Sequence, residues 1–190
     1  NKLKEKTEVS IAFNTENIVG HPKKGGGRNR FVCDKESGLK GIIMTNPSCP
    51  SGSSSGSIAI SSPASNIKAQ TAWTRGAWFD NIQVFWEKFS KSGEIHENYK
   101  DSVAPENIND IASINIKAEI LPGESKSIPV FLTWHFPNYV KYFDEEPCDS
   151  SCCGGSGEKK KALVLKKYYA KNFKDAFDSA KYLAKNFERL

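Results

Sequence analysis

The sequence predicts a mainly β protein: an antiparallel β-sandwich with one inserted short helix and a C-terminal amphipathic helix. Three observations carry this. Short apolar runs alternate with polar residues at the two-residue period of half-buried strands, as in Val9, Ile11 and Phe13. Gly-, Pro-, Ser- and Asn-rich stretches separate those runs at sandwich-like spacing. Helical spacing occurs at only two places, Ile82 to Phe89 and Phe173 to Leu190.

After the first strand comes the glycine-rich loop 21–30, His-Pro-Lys-Lys-Gly-Gly-Gly-Arg-Asn-Arg. Phe31 and Cys33 open a second strand and Leu39–Thr45 forms a third. Asn46–Gly56 is a loop by composition, and Ser57–Ser61 alternates again. Ile82, Phe85, Trp86 and Phe89 then fall on one helical face, with Asp80 placed to cap it and Gly93 to stop it. Ala112 to Trp134 reads as a hairpin. Ile114, Ile116, Ala118 and Ile120 share one strand face, and Pro122-Gly123 suits a type II turn. In the return strand Ile128, Val130 and Leu132 oppose Phe131 and Thr133, so apolar residues on both faces predict a central strand, with Pro129 at a bulge or near its start. Residues 145–161 read as a loop, followed by a helix from about Leu163 to the end. Its stripe of Phe173, Phe177, Ala180, Ala184 and Phe187, widened by Ala176, Leu183 and Leu190, needs something to cover it. With the stripe still running at Leu190, the helix is expected to lead to a helical domain outside this sequence.

Composition narrows the function classes. With 38% hydrophobic and 26% charged residues, the 190-residue chain suits a globular domain, and no apolar run is long enough to span a bilayer. The +5 formal charge gathers at Lys2–Lys6, His21–Arg30 and Lys159–Lys185. Aromatics are not interleaved with those patches as a nucleic-acid groove requires, so no nucleic-acid partner is expected. Five unevenly spaced cysteines make a poor disulfide framework and point to a reducing compartment, the cytoplasm.

Candidate chemistry is sparse. Glu94, Glu97 and Asp101 near His96, and the run Asp144, Glu145, Glu146, lie in polar stretches that give a general acid no shelter to raise its pKa. Cys148, Cys152 and Cys153 could ligate zinc or copper, or one could pair with Cys148 on oxidation, but no fourth metal ligand stands at recognisable spacing. His135 faces away from Trp134, with no nucleophile motif beside it. Trp73, Trp78, Trp134, Tyr139, Tyr142, Tyr168 and Tyr169 could stack on sugar rings, or pack in a core or at a domain interface.

Two segments carry a family resemblance. Ile128-Pro-Val-Phe-Leu-Thr-Trp-His-Phe-Pro-Asn138, after its Pro-Gly-Glu turn, and Tyr168-Tyr-Ala-Lys-Asn-Phe-Lys-Asp-Ala-Phe-Asp-Ser-Ala180 resemble the N-terminal domain of glycoside hydrolase family 116. This is the family of bile-acid β-glucosidase and non-lysosomal glucosylceramidase. Trp86-Glu-Lys-Phe-Ser-Lys-Ser-Gly-Glu94 adds a weaker match, in the same order. The family's glycine-rich opening is missing. The resemblance implies a non-catalytic sandwich supporting an (α/α) barrel that cleaves β-glucosides with two carboxylates, both beyond this chain. It implies no catalytic residue and no cofactor here. Its catalytic domain would be the partner, and Trp134, His135, Asn138, Tyr139, Tyr168 and Tyr169 would lie near the junction or sugar cleft. Residues 1–143 would form the sandwich, 144–161 a flexible loop and 162–190 a helical linker. A free-standing carbohydrate-binding module is the alternative.

Overall fold

The computed structural model describes residues 1–75, 81–141 and 163–189. Among these residues, ten strands and two α-helices run in the order β1 (Thr7–Glu16), β2 (Arg28–Cys33), β3 (Lys40–Thr45), β4 (Ser57–Ser62), β5 (Ile67–Gln70), α1 (Asn81–Ser92), β6 (Ser102–Val103), β7 (Ile111–Ile120), β8 (Phe131–His135), β9 (Asn138–Val140), β10 (Val164–Lys166) and α2 (Ala176–Asn186). A three-stranded sheet, β1-β7-β5, faces a five-stranded one, β6-β2-β3-β4-β8, while β9 and β10 form a separate ribbon. Every strand pair within these sheets is antiparallel, so the predicted fold class holds.

The core between the sheets follows from the alternation. Ile42, Met44, Ile58 and Ile60 of the larger sheet meet Ile67, Ala69, Ala112, Ile114 and Ile116 of the smaller. The sheets' outer faces are covered too, giving four layers. On the smaller sheet, Trp73 and Ile95 hold α1 through Phe85, whose ring stacks on Trp73 at 4.5 Å. Gly93, at φ +62°, stops α1 as predicted and donates its N–H to Phe89 O at 2.7 Å. The proposed cap, Asp80, lies outside the described residues. Of the apolar face predicted for α1, Phe85 is buried, whereas Ile82 and Trp86 are exposed.

On the larger sheet, Leu39, Ile43, Ala59 and Phe131 receive Ala176, Phe177 and Ala180 of α2. Alanine at 176 and 180 leaves no side chain to hold the helix away, and both are fully buried. Hydrogen bonds fix the approach: Ala176 N–H donates to Ser57 Oγ at 2.9 Å, and Thr133 Oγ1 donates to Ala176 O at 2.6 Å. The stripe expected to need an outside neighbour therefore has one within the chain. Its uncovered appearance in the sequence came from reading the sandwich as two layers rather than four.

Three further expectations need correction. The turn at Pro122-Gly123 forms, with Glu124 N–H donating to Leu121 O at 3.1 Å and Gly123 at φ +77°, but it does not close a hairpin. Strand β7 already has β1 and β5 as neighbours, so the chain crosses to the other sheet and β8 pairs with β4. Strand β8 is then an edge strand, not a central one. It carries apolar residues on both faces because α2 covers one and the sandwich interior borders the other. Pro129 stands just before it, where its missing N–H costs no ladder bond. Finally, no continuous helix runs from Leu163. Val164–Lys166 pairs with β9, Tyr168–Lys171 makes a 3-10 turn, and α2 starts only at Ala176, capped by Asp175, whose side chain accepts from Asp178 N–H at 2.8 Å.

Candidate functional site

Loops 17–27 and 46–56 and the corner between β8 and β9 gather at one end of the sandwich. Buried asparagines position them. Asn17 Nδ2 donates to Asn29 Oδ1 at 2.8 Å and to Thr45 O at 3.0 Å, and Asn46 Nδ2 donates to Val19 O and Gly25 O. Gly20 N–H donates to Ser54 O at 3.0 Å, tying the glycine-rich loop to the serine-rich one. Asn138 Nδ2 donates to Gly52 O at 3.0 Å, tying the serine-rich loop to β9. Sequence reasoning missed the asparagine scaffold, since a buried and a loop asparagine look alike in sequence.

The six junction candidates divide into two groups. His135, Asn138 and Tyr169 are structural anchors. His135 is 5% exposed, and its ring meets that of Tyr169 edge-on at 5.4 Å. Among the described residues, the buried His135 Nε2 has no hydrogen-bond partner. The Tyr169 hydroxyl bonds the Phe136 backbone, and Asn138 Oδ1 accepts from Lys166 Nζ at 2.7 Å. Together they lock β8, β9, β10 and the 3-10 turn.

Trp134, Tyr139 and Tyr168 face outward. Trp134 is 64% exposed: it stands opposite Ile58 in the ladder, on the inner face, yet β8 is the sheet's edge. Tyr139 is opposite Leu165 in the ribbon, and both are exposed. Tyr168 is 80% exposed, with Lys171 Nζ 5.5 Å from its ring centroid. Leu163 and Val164 are exposed as well. The anchors thus hold a compact structure whose surface is rich in aromatic and aliphatic side chains. Among the described residues no ring contact joins Trp134, Tyr139 and Tyr168 to one another, so they do not form a preassembled stacking platform.

Three candidate carboxylates near His96, Glu94, Glu97 and Asp101, are shifted downward. Glu97 is held down by a hydrogen bond from Lys68, which also lowers Glu94, and Asp101 is lowered by Arg28. A general acid requires the opposite shift. Asp144, Glu145, Glu146, Trp78 and Tyr142 lie outside the described residues, as does the whole of the 144–161 segment. Cys148, Cys152 and Cys153 lie there too. Among the described residues no three His, Cys, Asp or Glu side chains gather as a metal site, and Cys33 and Cys49 are free. No helix among them is long and apolar enough to cross a membrane.

Comparison with curated proteins gives no match. The family described as "beta-glucosidase 2, glycosyl-hydrolase family 116 N-term" matches residues 1–190, the whole chain. The two segments singled out in the sequence thus belong to a likeness that extends over every element described above, and the chain belongs to the N-terminal domain family of glycoside hydrolase family 116.

Proposed function

We propose that this chain is a non-catalytic domain that docks against the (α/α) catalytic domain of a β-glucoside-cleaving enzyme. The docking surface in this reading is the β9–β10 ribbon with its flanks: Tyr139, Leu163, Val164, Leu165 and Tyr168, beside Trp134. One observation carries it. A two-stranded ribbon, anchored by buried His135 and Asn138 and by the half-buried Tyr169, carries exposed apolar side chains that the other described residues leave uncovered. Interfaces favour such aromatic anchors, whose rings bury large area while their polar ends remain satisfied. Family membership supplies the occupant. Cytoplasmic residence belongs to the same proposal, supported by the free thiols of Cys33 and Cys49.

The test is hydrolysis of nitrophenyl β-glucoside. The chain alone should release no nitrophenol above buffer. Joined to the family's catalytic domain, it should support turnover, and Leu165→Asp should lower the thermal midpoint of that two-domain protein. Turnover by the isolated chain, abolished by replacing one of its own carboxylates, would overturn the reading.

A further inference from the structure

A cleft of about 480 Å³ opens between the β2–β3 turn and the start of α2. It lies away from the ribbon, and the proposed docking does not use it. Its size falls in the range of about 300–1,000 Å³ typical of small-molecule sites. Asp34, Glu36 and Ser37 line one wall; Asn172, Phe173, Asp178, Lys181 and Tyr182 line the other.

Three features define what it can hold. First, Lys181 sits between two carboxylates without bonding either closely: its ammonium is 3.9 Å from Asp34 Oδ1 and 3.6 Å from Asp178 Oδ1. Both separations exceed hydrogen-bond length, so a hydroxyl placed there can accept from Lys181 and donate to a carboxylate. Secondly, both acids are already fixed. Asp34 Oδ2 accepts from Ser37 N–H at 2.8 Å and Ser37 Oγ at 2.5 Å, and Asp178 Oδ2 accepts from Lys174 N–H at 3.2 Å. They are rigid acceptors rather than mobile surface charges. Thirdly, the Phe173 and Tyr182 rings pack edge to face at 5.6 Å, and Tyr182 remains 60% exposed at the cleft.

Three acids (Asp34, Glu36 and Asp178) face two amines, Lys181 and Lys185, which also lines the cleft; the single surplus negative charge disfavours an anion, and the paired amines leave no concentrated charge for a simple cation. An aromatic surface beside alternating fixed acceptors and donors suits a neutral, ring-shaped polyol. We infer that this cleft is a binding site for a neutral pyranoside of one or two rings, stacked on Tyr182 with a hydroxyl bridging Lys181 and Asp34 or Asp178. The inference does not depend on docking to a catalytic domain: either can fail alone.

The experiment is saturation-transfer NMR and calorimetry on the whole chain with methyl β-glucopyranoside and cellobiose. An open site for so small a ligand gives saturable binding in the millimolar range. Tyr182→Ala should weaken it about tenfold or more, and Lys181→Met should weaken it while keeping the packed stem. Trp134→Ala and Tyr168→Ala should leave it unchanged. Thermal midpoints of all four variants check that each folds. Absence of saturation up to the solubility of both sugars overturns the inference. So does binding lost through Trp134 or Tyr168 but kept in Tyr182→Ala, which would place the sugar on the other exposed aromatics.

Discussion

The Tyr169 hydroxyl bonds both backbone groups of Phe136, donating to its carbonyl oxygen at 2.7 Å and accepting from its N–H at 2.8 Å. Residues 33 apart in sequence are thereby joined where β8 turns into β9. Backbone groups at such a corner have no ladder partner, and the phenol supplies both.

Tyr169→Phe removes both bonds at once and leaves the ring in place. It should cost about 1–3 kcal/mol, read as a lower urea midpoint with unchanged slope. Tyr168→Phe, one residue away and exposed, should cost almost nothing. Equal effects would show that the hydroxyl bridge is not what holds the corner.

Asp110 should behave as a buried carboxylate with one cationic partner, Arg75, beside the Ser102 hydroxyl that donates to its Oδ2 at 3.1 Å. Arg75 Nε and Nη2 donate to Asp110 at 2.9 and 2.6 Å, and the Asp110 side chain is only 2% exposed. Arg75→Met strands that charge and should cost about 3 kcal/mol or more. Arg75→Met with Asp110→Asn should recover part of the loss, measured as a double-mutant cycle in urea.

Covering α2 with the larger sheet makes the helix part of the folding unit. Phe177→Ala should destabilise the whole chain by about 3–5 kcal/mol in one cooperative transition. Enlarging Ala180, fully buried against the sheet, to leucine should cost about 1–3 kcal/mol by overpacking. A separate low-temperature transition for α2, with the sandwich unaffected, would contradict this assignment.

Acid should weaken the fold through its surface pairs. Hydrogen bonds from Lys68 lower Glu97 and Glu94, and one from Arg28 lowers Asp101. Groups that ionise more readily when folded contribute fully above the unfolded carboxylate pKa, about 4, and lose that contribution as pH falls through the lower folded value. The thermal midpoint should therefore fall below about pH 4, and Lys68→Met should make that fall shallower. The size of the effect is modest, because solvent screens these exposed charges.

The fold was legible wherever alternation was strong. Val9 to Phe13, Leu39–Thr45 and Ile114 to Ile120 each became a strand, and Gly93 ended its helix. Strand partners were not legible: the Pro122-Gly123 turn looks the same whether the next strand stays in the sheet or crosses to the other. Strand β5, Ile-Lys-Ala-Gln, is too short and polar to show a period, and Val164–Lys166 was hidden in a lysine-rich run that continues toward a true helix. The split of the junction candidates into packed and exposed side chains was not legible in the sequence. His135 and Trp134 are adjacent, yet alternation sends one under the 3-10 turn and the other to solvent. The cleft at Asp34, Lys181 and Tyr182 left no trace in sequence, because its walls are more than a hundred residues apart and meet only when α2 lies on the sheet.

The docking surface can be tested by a photo-crosslinking residue placed singly at Leu165 and, as a rival position, at Trp86 on the exposed face of α1. In a protein that also carries the family's catalytic domain, illumination should join position 165 to that domain and leave position 86 unjoined. Crosslinks from position 86 with none from 165 would contradict the account, because the catalytic domain would then rest on the opposite outer layer of the sandwich.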